Sequence, residues 1–208
     1  VNLDASLSTV KRCVEEAGIG FLFAPLMHKA MKHAAIVRKE LGFRTIFNVL
    51  GPLTNPASAS AQVLGVFDVK WVQPLAQVLF GLGCEQAMVV HGSDGLDEIT
   101  LTGESHVAEL RNGEISNYSL DPRKLGFKTC SSVDLKGGTP EENAVMIQNI
   151  LNGEIGPKRD IVVLNSAAAI YVAGKVNSIE QGIQCAIDSI ESGKARNKLE
   201  DLCRITCS

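Results

Sequence analysis

Between Val63 and His91 the chain passes from a short apolar run to an amphipathic stretch and back to an apolar run, and that order constrains the fold more than any other feature. Val63 to Phe67 reads as a strand, Val72 to Leu82 as a helix with Pro74 tolerated in its first turn, and Ala87 to His91 as a buried strand. Strand, helix and strand in succession make a parallel pair with the helix packed on its face. The expected class is therefore α/β, with a mainly parallel central sheet flanked by helices.

The remaining segments extend this pattern. Ser8 to Glu16 places Val10, Cys13 and Val14 on one helical face, with Gly18 where a left-handed C-terminal residue is wanted. Ile19 to Phe23 is unbroken and apolar and stops at Pro25, which predicts a strand buried on both faces. Met27 to Leu41 has helical period, and Thr45 to Leu50 adds a further turn or two. Gly51-Pro52-Leu53-Thr54-Asn55-Pro56 is expected to be a fixed, non-helical loop. Val107 to Arg111 and Glu114 to Tyr118 flank Asn112-Gly113, the dipeptide of a type I′ hairpin. Thr139, Pro140 and Glu142 form a capping box opening a helix to Leu151. Ile161 to Leu164 reads as another buried strand, Asn165-Ser166 as a helix cap, Ala167 to Val172 as a short helix, and Ile179 to Ile190 as a longer one.

Composition narrows the function. Twenty Lys and Arg against 23 Asp and Glu give a net charge of -3, so no global positive field holds a nucleic acid backbone. No apolar run reaches the roughly 20 residues of a membrane-spanning helix. The six cysteines are scattered, without the paired knuckles of a zinc site, and read as free thiols in a reducing compartment. Val1 opens into Asn2-Leu3-Asp4 with neither an initiator Met nor a signal-like segment, so further sequence is expected upstream.

Two places invite chemistry. Arg38 shares a helical face with Met31, Ala34, Ala35 and Leu41, and a guanidinium there needs an anion, either a ligand carboxylate or phosphate or an acidic residue of the fold, unless it snorkels to water. His91-Gly92-Ser93-Asp94-Gly95-Leu96-Asp97-Glu98 follows a predicted central strand, where open α/β sheets bind ligands. Its three carboxylates repel one another unless a cation sits among them. Mg²⁺ suits such a site, and a solvated acidic turn is the plain alternative. Gly137-Gly138-Thr139 could hold an anion at a helix start but lacks the lysine and spacing of a phosphate-binding loop, and reads as a capped helix start.

Gly20-Phe21-Leu22-Phe23-Ala24-Pro25, the segment Met31-Lys32-His33 through Val37-Arg38-Lys39-Glu40-Leu41-Gly42, Arg44 through Pro56, and His91-Gly92 with Asp94-Gly95-Leu96-Asp97-Glu98 together resemble the anthranilate phosphoribosyltransferases. The likeness continues through Val107-Ala108-Glu109-Leu110, Gly137-Gly138 with Glu142-Asn143-Ala144, and Val163-Leu164-Asn165, and so covers essentially the whole chain. It implies transfer of a phosphoribosyl group from 5-phosphoribosyl-1-pyrophosphate (PRPP) to anthranilate, the second step from chorismate to tryptophan, with Mg²⁺ and a homodimer. By motif, Arg38 would hold the anthranilate carboxylate, His28 and Pro52 would line its path, and Asp97 and Glu98 would bind the magnesium. The implied fold is the C-terminal type shared with nucleoside phosphorylases. On that pattern 1–25 begins the α/β domain, 26–50 joins a smaller helical lobe, and 51–208 is the α/β domain proper.

The family's Gly-Thr-Gly-Gly-Asp loop and Lys-His-Gly-Asn-Arg segment, which hold pyrophosphate and ribose phosphate, would lie upstream of Val1. The chain alone is therefore expected to be inactive. A cytoplasmic enzyme is implied, or a plastid one if the source is a plant. Two other readings compete: a nucleoside phosphorylase of similar architecture, and a non-catalytic relative touching nucleic acid through Lys29, Lys32, Lys39 and Arg44.

Overall fold

The computed structural model describes residues 1–24, 50–51, 53–55 and 57–208. They fall into two compact units: residues 1–57 with 193–208, and residues 58–192.

The first unit is helical among its described residues. Ser6 caps α1 (Leu7–Arg12), its hydroxyl accepting from the Thr9 amide at 3.1 Å. The chain widens into a π-helical turn over Cys13–Ala17 and leaves it through Gly18 at φ 76°, the left-handed residue the sequence predicts. Cys13 and Ala17 are buried against Leu202 and Ile205 of the last helix, Lys194–Thr206. Ile19 to Phe23, expected as a buried strand, is not one. Ile19 and Phe21 are about half exposed, and the Phe21 and Phe23 rings stack on each other at 6.4 Å. An apolar run becomes a strand only where a neighbour supplies the ladder, and among the described residues none pairs with it. The 51–56 loop also needs correction: Leu50, Gly51 and Leu53 are helical, and Thr54 closes that turn, its amide donating to the Leu50 carbonyl at 3.1 Å.

The second unit is built on a four-stranded sheet, in order β1 (Ala61–Gly65), β2 (Gln86–Gly92), β3 (Ser105–Arg111), β4 (Glu114–Leu120). Helix α2 (Val72–Gly81) makes the crossover between β1 and β2, which pair in parallel with Val63 opposite Met88. The sheet is mixed: β3 pairs antiparallel with β2, and β4 with β3. The β3–β4 turn has Asn112 at φ 53° and Gly113 at φ 79°, both positive as a type I′ hairpin requires. The fold class is α/β, with parallel pairing among the described residues confined to β1 and β2.

Three longer helices follow: α3 (Pro140–Leu151), α4 (Pro157–Val172) and α5 (Ile179–Glu191). Ile161 to Leu164 belongs to α4 and is not a strand. Val163, Leu164, Ala167, Ala168 and Val172 are the buried positions, a spacing only a helix produces, and Pro157 starts it at a position where no amide donor is needed. Asn165 and Ser166 therefore sit in mid-helix and cap nothing. Met88 and Val90 of β2 join Val107, Leu164, Ala168 and Val172 in the main core. Ala87 and Val89 alternate to the other face and are equally buried on the side of α2, so β2 is covered on both faces.

Candidate functional site

The parallel pairing ends at Gly65 opposite Val90, β2 runs on to Gly92, and the chain leaving it builds the acidic loop there. His91 Nδ1 bonds the Val66 carbonyl at 2.7 Å and ties the two strand ends together. The Gly92 amide donates to the Leu96 carbonyl at 2.8 Å, the Gly95 amide to the Gly92 carbonyl at 2.9 Å, and Gly95 takes φ 91°. The chain thus doubles back tightly, at a point where only glycine turns without strain.

Asp94 does not share the role expected of all three carboxylates. Its Oδ2 accepts from the hydroxyls of Thr100 and Thr102, both at 2.8 Å, and its Oδ1 accepts from the Leu96 amide at 3.1 Å. Burial pushes its pKa up, but the Thr102 and Thr100 hydroxyls and the Leu96 amide outweigh that and hold it below the ordinary value of 3.8. Asp94 is an internal brace.

Asp97 and Glu98 remain, both exposed, between a glycine and a buried pair. The Asp97 carbonyl lies so close to Gly65 that a β-carbon on Gly65 would fall on it. Ile99 and Thr100 are fully buried, and the Thr100 amide donates to Ser105 Oγ at 2.9 Å. From α4, Asn165 holds Ile99 at both backbone groups: its Oδ1 accepts from the Ile99 amide at 3.0 Å, and its Nδ2 donates to the Ile99 carbonyl at 2.8 Å and to the Ile161 carbonyl at 3.0 Å. Glu98 is exposed as a residue, yet its carboxyl is partly desolvated, and that first, then the charge of Asp97 beside it, pushes it above the ordinary 4.5. Neither carboxylate forms an ion pair with a described residue.

These are hard oxygen donors on a braced loop. No group of three or more His, Cys, Asp and Glu among the described residues could enclose a metal, which disfavours a closed protein-only cage there. Two adjacent carboxylates open to solvent suit Mg²⁺, which keeps several waters and takes substrate phosphate as its other ligands.

Of the residues singled out in the sequence, Asp97 and Glu98 come together at this loop, while Arg38, His28 and Pro52 lie outside the described residues. Sequence reasoning missed Thr100, Thr102, Gly65 and Asn165. The Thr-Leu-Thr step just after the acidic run, and one amide side chain within an otherwise apolar helical stretch, were the signals available. At Gly137-Gly138-Thr139 the helix start is self-satisfied: Glu142 Oε2 accepts from the Thr139 amide at 2.7 Å, Thr139 Oγ1 from the Glu142 amide at 3.3 Å, and Asn143 Oδ1 from the Gly138 amide at 2.8 Å. A second polar cluster, on β3, β4 and α4, is likewise closed on itself. Glu109 accepts from Tyr171 at 2.6 Å and from Tyr118 at 2.9 Å, and Arg111 lies 4.6 Å over the Tyr171 ring.

A sequence profile described as the glycosyl transferase family, a/b domain, matches residues 1–196. The anthranilate phosphoribosyltransferase of Acetivibrio thermocellus is 56% identical over 208 residues, 100% of this chain and 60% of that protein. The solved anthranilate phosphoribosyltransferase of Thermus thermophilus is 45% identical with a TM-score of 0.93, over 100% of this chain and 62% of that one. One from Saccharomyces cerevisiae, in complex with PRPP and Mg, is 28% identical with a TM-score of 0.89, over 99% and 59% of the two chains. The chain spans about 60% of the length of the curated relatives it matches.

Proposed function

The chain belongs to the glycosyl transferase family through its a/b domain, and from that premise we propose that it is the Mg²⁺-holding part of an anthranilate phosphoribosyltransferase. The observation that carries the reading is the pair Asp97 and Glu98, held outward at the carboxyl end of the parallel strands by a loop in which Asp94 and the Ile99 backbone are already bonded. Similarity over the whole chain to relatives of that name supports it.

The reaction breaks the bond from the ribose anomeric carbon to pyrophosphate and forms a bond from that carbon to the anthranilate nitrogen, which then loses a proton. Mg²⁺, when bound, neutralises the charge that gathers on the leaving pyrophosphate. Asp97 and Glu98 would fix the position of that positive charge, and the clamps on either side keep them from turning away as substrate arrives. Arg38 would hold the anthranilate carboxylate through its planar fork, with His28 and Pro52 lining the path, so that the neutral amine faces the anomeric carbon. On this reading residues 26–50 belong to a smaller helical lobe, and the complete protein is a homodimer in the pathway to tryptophan.

The test is loss of anthranilate fluorescence with PRPP and Mg²⁺, measured on this chain and on a version extended upstream to the relatives' length. Turnover in the extended form that disappears in Asp97→Asn/Glu98→Gln supports the proposal. No turnover in the extended form, with a salt-dependent shift of DNA instead, would move the chain to the non-catalytic reading.

A further inference from the structure

Among the described residues, Asn165 is the group outside the acidic loop that touches the backbone immediately after Glu98 with both halves of its side chain. It stands in the middle of α4, half-buried, and its donors and acceptor match the two Ile99 backbone groups in kind as well as in place. An amide in mid-helix gains nothing from its own helix beyond the one bond to the Ile161 carbonyl. Core packing does not call for it either, since Leu164 and Ala168 beside it fill the apolar cluster. Ile99, for its part, is fully buried at the point where the chain leaves the turn, so its amide and carbonyl need partners the turn does not supply.

We infer that Asn165 is a positioning residue for the magnesium pair: by fixing both backbone groups of Ile99 it sets the direction in which Asp97 and Glu98 project, and so pre-forms the metal site before metal or substrate arrives. The inference rests on the reading of Asp97 and Glu98 as the Mg²⁺ carboxylates. The loop is then held from two sides. Gly65 of β1 closes against the Asp97 carbonyl, and Asn165 of α4 grips Ile99 just beyond, so Glu98 has fixed backbone on both flanks. Asp94 with Thr100 and Thr102 ties the two ends of the turn together. The expected cost of losing such an outer support is about 10–100-fold in metal affinity.

The experiment is a titration of the chain with Mn²⁺ alone, read by electron paramagnetic resonance, for wild type, Asn165→Asp, Asn165→Ala, Asp97→Asn/Glu98→Gln and Ile190→Ala. Asn165→Asp keeps the acceptor for the Ile99 amide but sets an oxygen against two carbonyls. Ile190→Ala loosens a separate cluster between α4 and α5 that does not include Ile99. Mn²⁺ binding weakened about 10–100-fold in the Asn165 variants and unchanged in Ile190→Ala supports the inference. Asn165 variants that bind as wild type while the double carboxylate variant does not would overturn it and leave the metal reading standing. An Ile190→Ala variant that loses as much affinity as the Asn165 variants would overturn it too, because the effect would then be general loosening. If Asp97→Asn/Glu98→Gln binds Mn²⁺ as wild type does, the metal reading fails and the inference with it. Amide exchange in the metal-free wild-type chain needs no variant: slow exchange at Ile99 supports a pre-formed clamp, and exchange at the rate of an unprotected amide rules one out.

Discussion

The acidic turn after β2 and the Gly137-Gly138-Thr139 start of α3 both present themselves in the sequence as glycine-rich places for an ion, one for a cation and one for an anion, and the structure separates them. At α3 the free helix-start amides are consumed locally by Thr139, Glu142 and Asn143. At the acidic turn the local groups are consumed too, but by Asp94, Thr100, Thr102 and Asn165, and two charges are left over facing solvent. A loop can bind what remains after its own hydrogen bonds are closed, and only the acidic turn has a remainder.

The sharpest way to break this contrast is to remove the remainder. Asp97→Asn/Glu98→Gln is expected to reduce divalent-cation binding by more than the ~10–100-fold typical of losing an outer support, with a small change in melting temperature. Unchanged Mn²⁺ binding by electron paramagnetic resonance would erase the distinction between the two loops. Next in size is Gly65→Ala, whose new β-carbon must displace the Asp97 carbonyl. The expected loss is about 1–3 kcal/mol in urea unfolding, with weaker Mn²⁺ binding alongside. A variant as stable as wild type would mean that the β1 side of the clamp yields freely.

Thr139→Ala should cost about 1 kcal/mol of stability through the lost cap and leave Mn²⁺ binding as it was. Urea unfolding and the same titration check both halves. The smallest effect, and the most discriminating, is in pH. Glu98 has its folded pKa raised, so metal binding should fall away as pH drops through a range starting above the ordinary 4.5. Asp94 has its folded pKa lowered, so the stability it supplies is full above the unfolded value near 3.8 and is lost only as pH falls through the lower folded value. Between these two ranges the frame of the turn should be intact while the metal is released. Mn²⁺ titration paired with the amide resonance of Thr100 across acid pH would show whether the two losses separate, and coincident losses would contradict the division of labour between Asp94 and Glu98.

Much of the fold was open to reading because its signals are local. Proline and glutamate after Thr139 announce a capped helix, Asn112-Gly113 announces a hairpin, and the alternation from Val63 to His91 announces a parallel pair. Each is a few residues satisfying their own backbone. Ile161 to Leu164 and Ile19 to Phe23 went astray for one shared reason. A short apolar run states that it wants burial and does not state against what. The first is a turn of α4 that buries Leu164 against β2 and β3 and Val163 against α5, and the second found no strand to pair with among the described residues.

The chemistry on offer was already written in the chain: a run of carboxylates in a glycine-permitted turn, a net charge unsuited to holding nucleic acid, and the order of strand and helix that sets the turn at the end of β2. Which carboxylate is tied down and which pair stays available was settled only on folding. That choice depends on Gly65, Thr100, Thr102 and Asn165, and Asn165 meets Ile99 directly although 66 residues of chain separate them. Hydrogen bonds of this kind are satisfied across space, and neither spacing nor period carries a record of them.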